Sequence, residues 1–369
     1  MKKIAFLVSF SLLTLGCGGD DPVLGGDFIG DVTLSTQAEI DAFGARQYET
    51  ITGNLTIVPD TEDPGAIRNI VALSSITSIK GDLYIGGTTN LSGLSGLRYL
   101  QRVEGSITLA RNEGLVSINS FSRLTEVTGR LSIFRNNQLR NLDSLANLTG
   151  TIQVLNIAEN ERLLDLDGLS GITVVDESLS IFRNNSLVSL DGLNNLRVIA
   201  GTLNIGRNPA LTTISGFTSL QTVALGNISI AENMSLTEIS AFNNMTGTFG
   251  VDVRENPKLT SITGFQNIKS IYNLSIGNNP QVSDISGLAS LETVELSLGV
   301  FDTKLTNLNN FSNLKSVGEG LFVYENPNLV NLCGLQGILN IDGVSGNFVI
   351  QENAFNPTAA DIKAGDCED

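Results

Sequence analysis

The sequence predicts an all-β fold, a right-handed parallel β-helix-like solenoid of about thirteen coils, most of them 23 to 25 residues long. An asparagine recurs at gaps of 23 to 25 residues through the middle of the chain. Each of these asparagines follows, by three residues, the second member of an apolar-x-apolar pair. A fixed period of this size is typical of stacked repeats, which bury their apolar sides only against neighbouring repeats.

Residues 201–223 show one repeat in full. Leu203 and Ile205 alternate with polar residues, which predicts a short strand with one buried face. The later apolar residues come at about every third position, which favours tight turns or an extended three-sided winding over an α-helix of period 3.6. They are Leu211, Ile214, Phe217, Leu220 and Val223. Gly201, with counterparts in other coils, is expected to turn the corner before the strand with a positive φ.

The recurring asparagines are predicted to be structural. When coils stack at ~4.8 Å, the amide just after each strand can hydrogen-bond the backbone of the next coil and satisfy inward-facing polar groups. The predicted ladder consists of Asn112, Asn136, Asn160, Asn184, Asn208, Asn233, Asn256, Asn279, Asn326 and Asn353.

The period is disturbed at three places and capped at the start. Residues 59–65 form a longer loop, the strand register slips near residues 296–300, and the last coil is slightly long. At the second of these places Asp302 stands where an asparagine is expected. Thr36 and Glu39 have the spacing of a capping box, which predicts a short helix over about residues 37–45.

The N-terminal residues carry export signals. Lys2 and Lys3 precede an apolar run too short to span a bilayer as a helix, so residues 1–16 are predicted to be a cleaved signal peptide. Residues 13–17 resemble a bacterial lipobox, although Thr14 departs from its usual leucine. The resemblance implies that Cys17 is lipidated; the alternative is an ordinary secretory signal with an incidental cysteine.

The acidic residues after Cys17 resemble the surface-export signal of lipoproteins of the Bacteroidota, and the alternative is a plain flexible tether. Either reading places the body outside the cytoplasm, lipid-anchored at the outer membrane or cell surface. The predicted division is a signal peptide over 1–16, a flexible acidic tether over 17–30, an N-terminal cap over 31–50, the solenoid over 51–355 and a C-terminal cap segment over 356–369. Cys333 and Cys367 are predicted to tie that segment down by a disulfide, with two free thiols as the alternative.

Composition excludes several kinds of function. The chain has 38 acidic and 22 basic residues, a net charge of −16 and no histidine. An acidic body repels phosphate backbones, so no nucleic-acid partner is expected. Without histidine there is no histidine general base and no histidine metal site, and no cofactor or metal is expected. Calcium is disfavoured because no dense cluster of oxygen ligands stands out.

The repeat pattern L-x-I-x-x-N-x-x-L-x-x-L over about residues 50–355 resembles the receptor L domain, a β-helix-like leucine-rich module. The leucine comes three residues after the asparagine, as at Leu115 and Leu139, whereas typical leucine-rich repeats place it two residues after. This offset favours the L domain over a standard horseshoe. Residues 331–335 and 352–357, followed by Cys367, resemble the closing segment of bacterial surface proteins of this type. The resemblance therefore implies a leucine-rich repeat surface lipoprotein of Bacteroidota type, without naming a ligand.

Most outward positions of the predicted sheet face carry small polar side chains, and one patch differs from them. Phe134 and Phe182 are expected two coils apart, ~9–10 Å, with Ala158 between them. They would form the walls of a slot for a sugar ring or a flat side chain; alternatively, both rings lie down over Ala158. A column with alternating charge, Arg135–Glu159–Arg183, runs beside them. The candidate ligand-binding residues are Phe134, Phe182, Asn156, Ser132, Ser180, Arg135 and Arg183.

The predicted function is a surface-anchored, non-enzymatic recognition or adhesion module that binds an extracellular protein or glycan on its sheet face. The alternative is a structural stalk or coat lipoprotein. A polysaccharide-active β-helix enzyme is disfavoured, because such enzymes need aspartate clusters and long groove-building loops. The membrane is expected to be contacted only through the N-terminal lipid.

Overall fold

The computed structural model describes residues 24–369 and confirms the predicted all-β solenoid with a short helical cap near the N-terminus. The predicted signal peptide, Cys17 and the first part of the predicted tether lie outside the described residues. Within residues 24–369, no helix is long and apolar enough to cross a membrane.

The first face of the solenoid is one long parallel sheet. Within residues 24–369 it contains fourteen strands, each hydrogen-bonded to the strand of the next coil. They are Val32–Leu34, Leu55–Ile57, Leu83–Gly86, Ile107–Ala110, Arg130–Phe134, Val154–Ala158, Leu179–Phe182, Leu203–Gly206, Thr222–Ala231, Gly247–Arg254, Ser270–Asn279, Ser297–Thr303, Gly320–Tyr324 and Asn347–Gln351. Val32–Leu34 adds one strand to the thirteen predicted, inside the segment predicted as a cap.

The second face carries shorter parallel strands. The first five form a separate sheet: Asp27–Phe28, Thr50–Ile51, Ser78–Ile79, Arg102–Val103 and Glu126–Val127. Further along are Gly150–Ile152, Ile172–Val175, Val198–Ile199, Thr293–Val294 and Ser316–Val317. In the coils between the third and fourth of these, strands Thr222–Ala231, Gly247–Arg254 and Ser270–Asn279 are long enough to serve both faces.

The third face uses both geometries that the three-residue spacing allowed. Most coils turn through a 3-10 helix: Val71–Leu73, Ser95–Leu97, Asn119–Arg123, Asp143–Leu145, Asp167–Leu169, Asp191–Leu193, Ser286–Leu288, Asn309–Phe311 and Cys333–Leu335. Three central coils instead pair through strands Thr213–Ile214, Glu238–Ile239 and Ser261–Ile262. In these coils Phe217, Phe242 and Phe265 are fully buried and stack with ring centroids 5.4 and 4.9 Å apart.

The core is a continuous apolar column inside the coils. In the coil of residues 201–223, all seven apolar positions of the repeat are fully buried. Glycines at the corners work differently from the prediction, because Gly201 and Gly105 do not have positive φ. A Cβ on Gly105 would lie 2.6 Å from the carbonyl oxygen of Gly81 in the previous coil. These glycines are therefore required by the close approach of successive coils.

Helices and a disulfide cover the ends. The predicted N-terminal helix is confirmed as Gln37–Gly44, with the Thr36 hydroxyl accepting from the Glu39 N–H at 3.2 Å and the Glu39 carboxylate accepting from the Thr36 N–H at 3.1 Å. At the other end, helices Gln336–Asn340 and Ala359–Ala364 pack together, and neither was predicted. Cys333 and Cys367 are joined by a disulfide with a Cα–Cα distance of 4.9 Å.

Candidate binding surface

The asparagines form the inner frame of the long sheet. Asn160 donates its N–H to Asn184 Oδ1 at 3.1 Å and its side-chain amide to the Ile133 carbonyl at 2.8 Å. The same bonds recur in the neighbouring coils, and nine of the ten predicted asparagines are fully buried. Asn353, at 8% exposure, bonds the side chain of Asn356 instead of a further coil. These amides are engaged inside the protein and are not available to a ligand.

Two threonines complete the ladder and were missed. Thr88 donates to Asn112 Oδ1 at 2.7 Å, and the N–H of Thr303 donates to Asn326 Oδ1 at 3.1 Å. Thr303 therefore occupies the place that was assigned to Asp302. Strand Ser297–Thr303 pairs Leu298 with Leu274 in a regular ladder, so the predicted register slip near residues 296–300 is wrong. Counting five residues on from Leu298 would have found Thr303.

The residue before each ladder position has a left-handed backbone conformation. Gly87 precedes Thr88 with φ of 72°, and in the other coils the same position has a side chain, with φ between 47° and 58°. These residues are Arg111, Arg135, Glu159, Arg183, Arg207, Glu232, Glu255, Asn278, Asp302, Glu325 and Glu352. We call them the edge column. The left-handed conformation is rare for such residues, so the ladder bonds beside them must hold it in place.

The register places the predicted phenylalanines as the spacing required. Phe134 pairs with Ala158, and Ala158 pairs with Phe182 on the next strand. The ring of Phe182, however, leans away from Ala158 and over Gly206, where an added Cβ would lie 3.2 Å from it. The two rings therefore do not face each other as walls of the predicted slot.

The predicted floor of the slot is already hydrogen-bonded. Asn156 donates its side-chain amide to the Ser132 hydroxyl at 2.9 Å, and Ser132 is 95% buried. Ser180 lies between Asn156 and Asn204 in the register and is half-buried. The structure thus brings Ser132, Asn156 and Ser180 together, with two of them satisfied by each other.

Phe182 sits between two cations. The guanidinium carbon of Arg183 lies 5.1 Å from the centre of its ring and that of Arg207 lies 5.3 Å from it. Arg207 also forms an ion pair with Glu232 at 2.7 Å. This hydrogen bond and charge lower the pKa of the Glu232 carboxyl below its usual value and raise the pKa of Arg207. We call Phe182, Arg183, Arg207 and Glu232 the Phe182 cluster.

The charge ladder is only partly formed as predicted. Arg135 pairs with Glu159 at 2.8 Å, but Arg183 lies against Phe182, and the described ion pairs do not include Glu159 with Arg183. Within residues 24–369, no group of three or more acidic, cysteine or histidine side chains is placed to hold a metal ion.

An open groove follows the edge column. It has a volume of about 640 Å³ and passes both partners of the Arg135–Glu159 and Arg207–Glu232 pairs, together with Met234. A second groove, missed by the prediction, lies further along the sheet beside Phe301, Phe322 and Tyr324 and has a volume of about 490 Å³. The signal for it was present, because Phe301 and Tyr324 occupy the same position after the buried pair as Phe134 and Phe182.

Comparison with known proteins gives a family match over part of the chain. Residues 148–246 match the family model described as Receptor L domain. This segment contains the whole Phe182 cluster. A crystal structure of an internalin (inlF) from Listeria monocytogenes is also similar, at 18% identity over 77% of this chain and 76% of that chain, with a TM-score of 0.38. A search of curated proteins found no match.

Proposed function

We propose that this chain is a non-enzymatic recognition or adhesion module, anchored at the outer membrane or cell surface through a lipid on Cys17. Its sheet face binds an extracellular protein or glycan. The partial match to the receptor L domain supports a binding role at the level of the module. The N-terminal sequence supports the proposed lipid anchor, since residues 13–17 resemble a lipobox.

The observation that carries the proposal is the Phe182 cluster. Aromatic and arginine side chains contribute most of the binding free energy at protein interfaces. Here one aromatic ring is held by two guanidinium groups at the boundary between the sheet face and the edge groove. Arg207 is already ordered by its ion pair. Binding a partner would therefore cost less side-chain entropy at Arg207 than at a free arginine.

The contrast between inner and outer positions favours recognition over a stalk. Inside the coils the same apolar and asparagine positions recur, because stacking requires them. Outside, the position after the buried pair reads alanine, phenylalanine, glycine, alanine and arginine in five successive strands. A stalk needs only uniform stacking, whereas a binding surface needs local differences. The absence of histidine from the sequence supports a role without acid–base catalysis at neutral pH.

A binding screen tests the proposal. The protein, extracted in mild detergent, would be presented to immobilised extracellular matrix proteins and polysaccharides. For a ligand found in this way, Phe182→Ala combined with Arg207→Ala should raise Kd by at least about tenfold, because a central aromatic and a cation are both lost. Phe134→Ala alone should have a smaller effect, since Phe134 lies outside the cluster.

Val188→Ala is the matched control, because Val188 is 52% exposed and lies outside the long sheet. Equal Kd values for the control and the double variant would contradict binding at the Phe182 cluster. Failure of the intact protein to bind any member of the screen would favour the structural alternative.

The anchor is tested separately. Mass spectrometry of the N-terminal peptide should find acyl chains on Cys17, and Cys17→Ser should release the protein from the membrane fraction. Protease added to intact cells should remove the body if it faces outward. Retention of the Cys17→Ser protein in the membrane fraction would contradict lipid anchoring.

A further inference from the structure

The second groove lies on the same sheet, and its residues Asn227 and Asp252 also line the adjoining groove that contacts Phe182, Arg207 and Glu232. Two consecutive strands supply its aromatic side: Phe301 from Ser297–Thr303, and Phe322 and Tyr324 from Gly320–Tyr324. Phe301 and Tyr324 stack with ring centroids 4.9 Å apart and an angle of 3° between their planes. Stacked in this way, the two half-buried rings cover part of one face of each other, and together they form an apolar platform about one strand spacing wide.

Glycines make room for this platform. Phe301 lies over Gly277, where an added Cβ would come within 2.0 Å of the ring, and Phe322 lies over Gly320, where it would come within 2.5 Å. Gly299 stands between them, and there an added Cβ would meet no atom closer than 3.8 Å. The floor at Gly299 is therefore open, with the two phenylalanines turned to either side of it.

Polar groups face the platform from the neighbouring strands. Asn227, Asp252, Asn273 and Ser275 line the groove opposite the rings. Asn273 accepts a hydrogen bond from the Ser297 N–H at 3.2 Å, and within residues 24–369 the amide NH₂ groups of Asn227 and Asn273 donate to no protein atom. Amide and carboxylate groups can bind the adjacent hydroxyls of a ligand as donors and acceptors.

The charge of the groove selects among ligands. Within the described chain, Asp252 is the one charged residue that lines it, and its carboxylate lies 3.4 Å from Arg254. A sulfated or uronate-rich polymer would meet a carboxylate with no free cation, on a protein of net charge −16. A ligand with an apolar face, several hydroxyls and no negative charge fits these groups better.

We infer that this groove is a binding site for a neutral glycan. One face of a pyranose ring presents C–H groups, which pack on the negative face of an aromatic ring, while its hydroxyls are oriented toward the opposite edge. The volume of about 490 Å³ falls in the roughly 300–1,000 Å³ range of small-molecule sites. The inference rests on the proposed function and names the ligand class and a second place on the sheet.

Gly299→Val is the decisive variant. It fills the open floor, and since Gly299 lies in a strand without positive φ and with free space above it, the fold should be retained. Thr108→Val is the matched control, an outward position of the same sheet between buried residues of its strand. Equal melting temperatures of both variants and the parent would show that folding is intact.

The detergent-extracted protein would be titrated with dextran, mannan and galactomannan, and in parallel with hyaluronan and heparin. Tyrosine fluorescence can follow binding, because the chain has five tyrosines and no tryptophan, and Tyr324 belongs to the platform. Saturable binding of a neutral glycan should be weakened at least about tenfold by Gly299→Val and unchanged by Thr108→Val.

Three results would overturn the inference. Glycan binding that Gly299→Val leaves unchanged would place the site elsewhere while leaving the proposed function intact. Equal or tighter binding of the acidic polymers would exclude the neutral class. Absence of any glycan binding, or loss of a protein ligand with Gly299→Val, would assign the groove to proteins or to no ligand. The proposed function is judged independently by the Phe182→Ala and Arg207→Ala variant.

Discussion

At the scale of single residues, each coil depends on one buried amide. Asn184 accepts from the Asn160 N–H at 3.1 Å and donates to the Ile157 carbonyl at 2.9 Å, while its own N–H donates to Asn208 at 3.0 Å. The backbone groups that lose strand partners at the bend are thus satisfied by side chains. These bonds also hold the left-handed edge column, where each non-glycine residue costs about 1–2 kcal/mol.

We expect Asn184→Ala to lower the free energy of unfolding by about 2–4 kcal/mol, because it leaves two buried backbone groups without partners at roughly 1–3 kcal/mol each. The midpoint of urea unfolding would measure this. Asn185→Ala is the control. Asn185 is the exposed neighbour of Asn184, so its replacement should change stability by less than about 0.5 kcal/mol. Similar losses for both variants would contradict the structural role of the ladder.

At the scale of elements, the 3-10 helices place negative charges above one another in successive coils. Asp143, Asp167 and Asp191 each begin a 3-10 helix in three successive coils. Loss of hydration raises the pKa of the Asp167 carboxyl above 3.8, and the charges of Asp165, Asp143 and Asp191 raise the pKa further. The side chain stays exposed, so the effect on stability is small.

The sign of the pH dependence follows from that raised pKa. The folded protein binds this proton more tightly than the unfolded chain, so Asp167 lowers stability as pH rises from about 3.8 through its folded pKa. We therefore expect Asp167→Asn to raise the melting temperature slightly at pH 7, with no difference below pH of about 3. Asp176→Asn, outside this column, should change little. A difference for Asp167→Asn that is constant with pH would contradict the electrostatic explanation.

At the scale of the whole molecule, stability passes from coil to coil and the ends are its weak points. The N-terminal end is covered by helix Gln37–Gly44, in which Ile40 is fully buried. At the C-terminal end, helix Ala359–Ala364 buries Ile362, and the disulfide fixes that helix to the coil containing Cys333. Ile40 and Ile362 both belong to the continuous apolar core, so these helices cap its two ends.

We expect Cys333→Ala combined with Cys367→Ala to lower the free energy of unfolding by about 3–4 kcal/mol in the chain-entropy model for a 34-residue separation. Hydrogen exchange read by mass spectrometry should show faster exchange in the last coils first and little change near residues 155–205. Faster exchange spread evenly over all coils would contradict a local fastening role.

Much of this architecture could be predicted because repetition makes a local pattern decisive. The apolar pair and the asparagine three residues later fix strand, register and inner face in every coil, and Phe134, Ala158 and Phe182 fall on adjacent strands as expected. Where one coil departs from the pattern, the prediction went wrong. Counting 23 residues on from Asn279 predicts Asp302 at the ladder position, whereas the Thr303 hydroxyl donates to Asn326 in that place.

The candidate surface was less predictable than the frame, because outward side chains are not held by the period. Spacing placed Phe182 on the right strand but could not show that its ring would lie over Gly206 between Arg183 and Arg207. It also left the Phe301–Tyr324 platform unnoticed, because the sequence at residues 296–300 predicted a register slip that the structure does not show.

The sequence by itself determined the stacked parallel coils, the inward asparagines and the helix that opens the fold, since each follows from spacing along the chain. Only the tertiary structure decided where the exposed rings turn, which charges pair, and that the corner glycines are needed for close contact between coils. The physical reason is that burial and backbone hydrogen bonding act at every repeat. The orientation of an exposed side chain, in contrast, depends on weak contacts with residues one coil away, about 24 positions along the sequence.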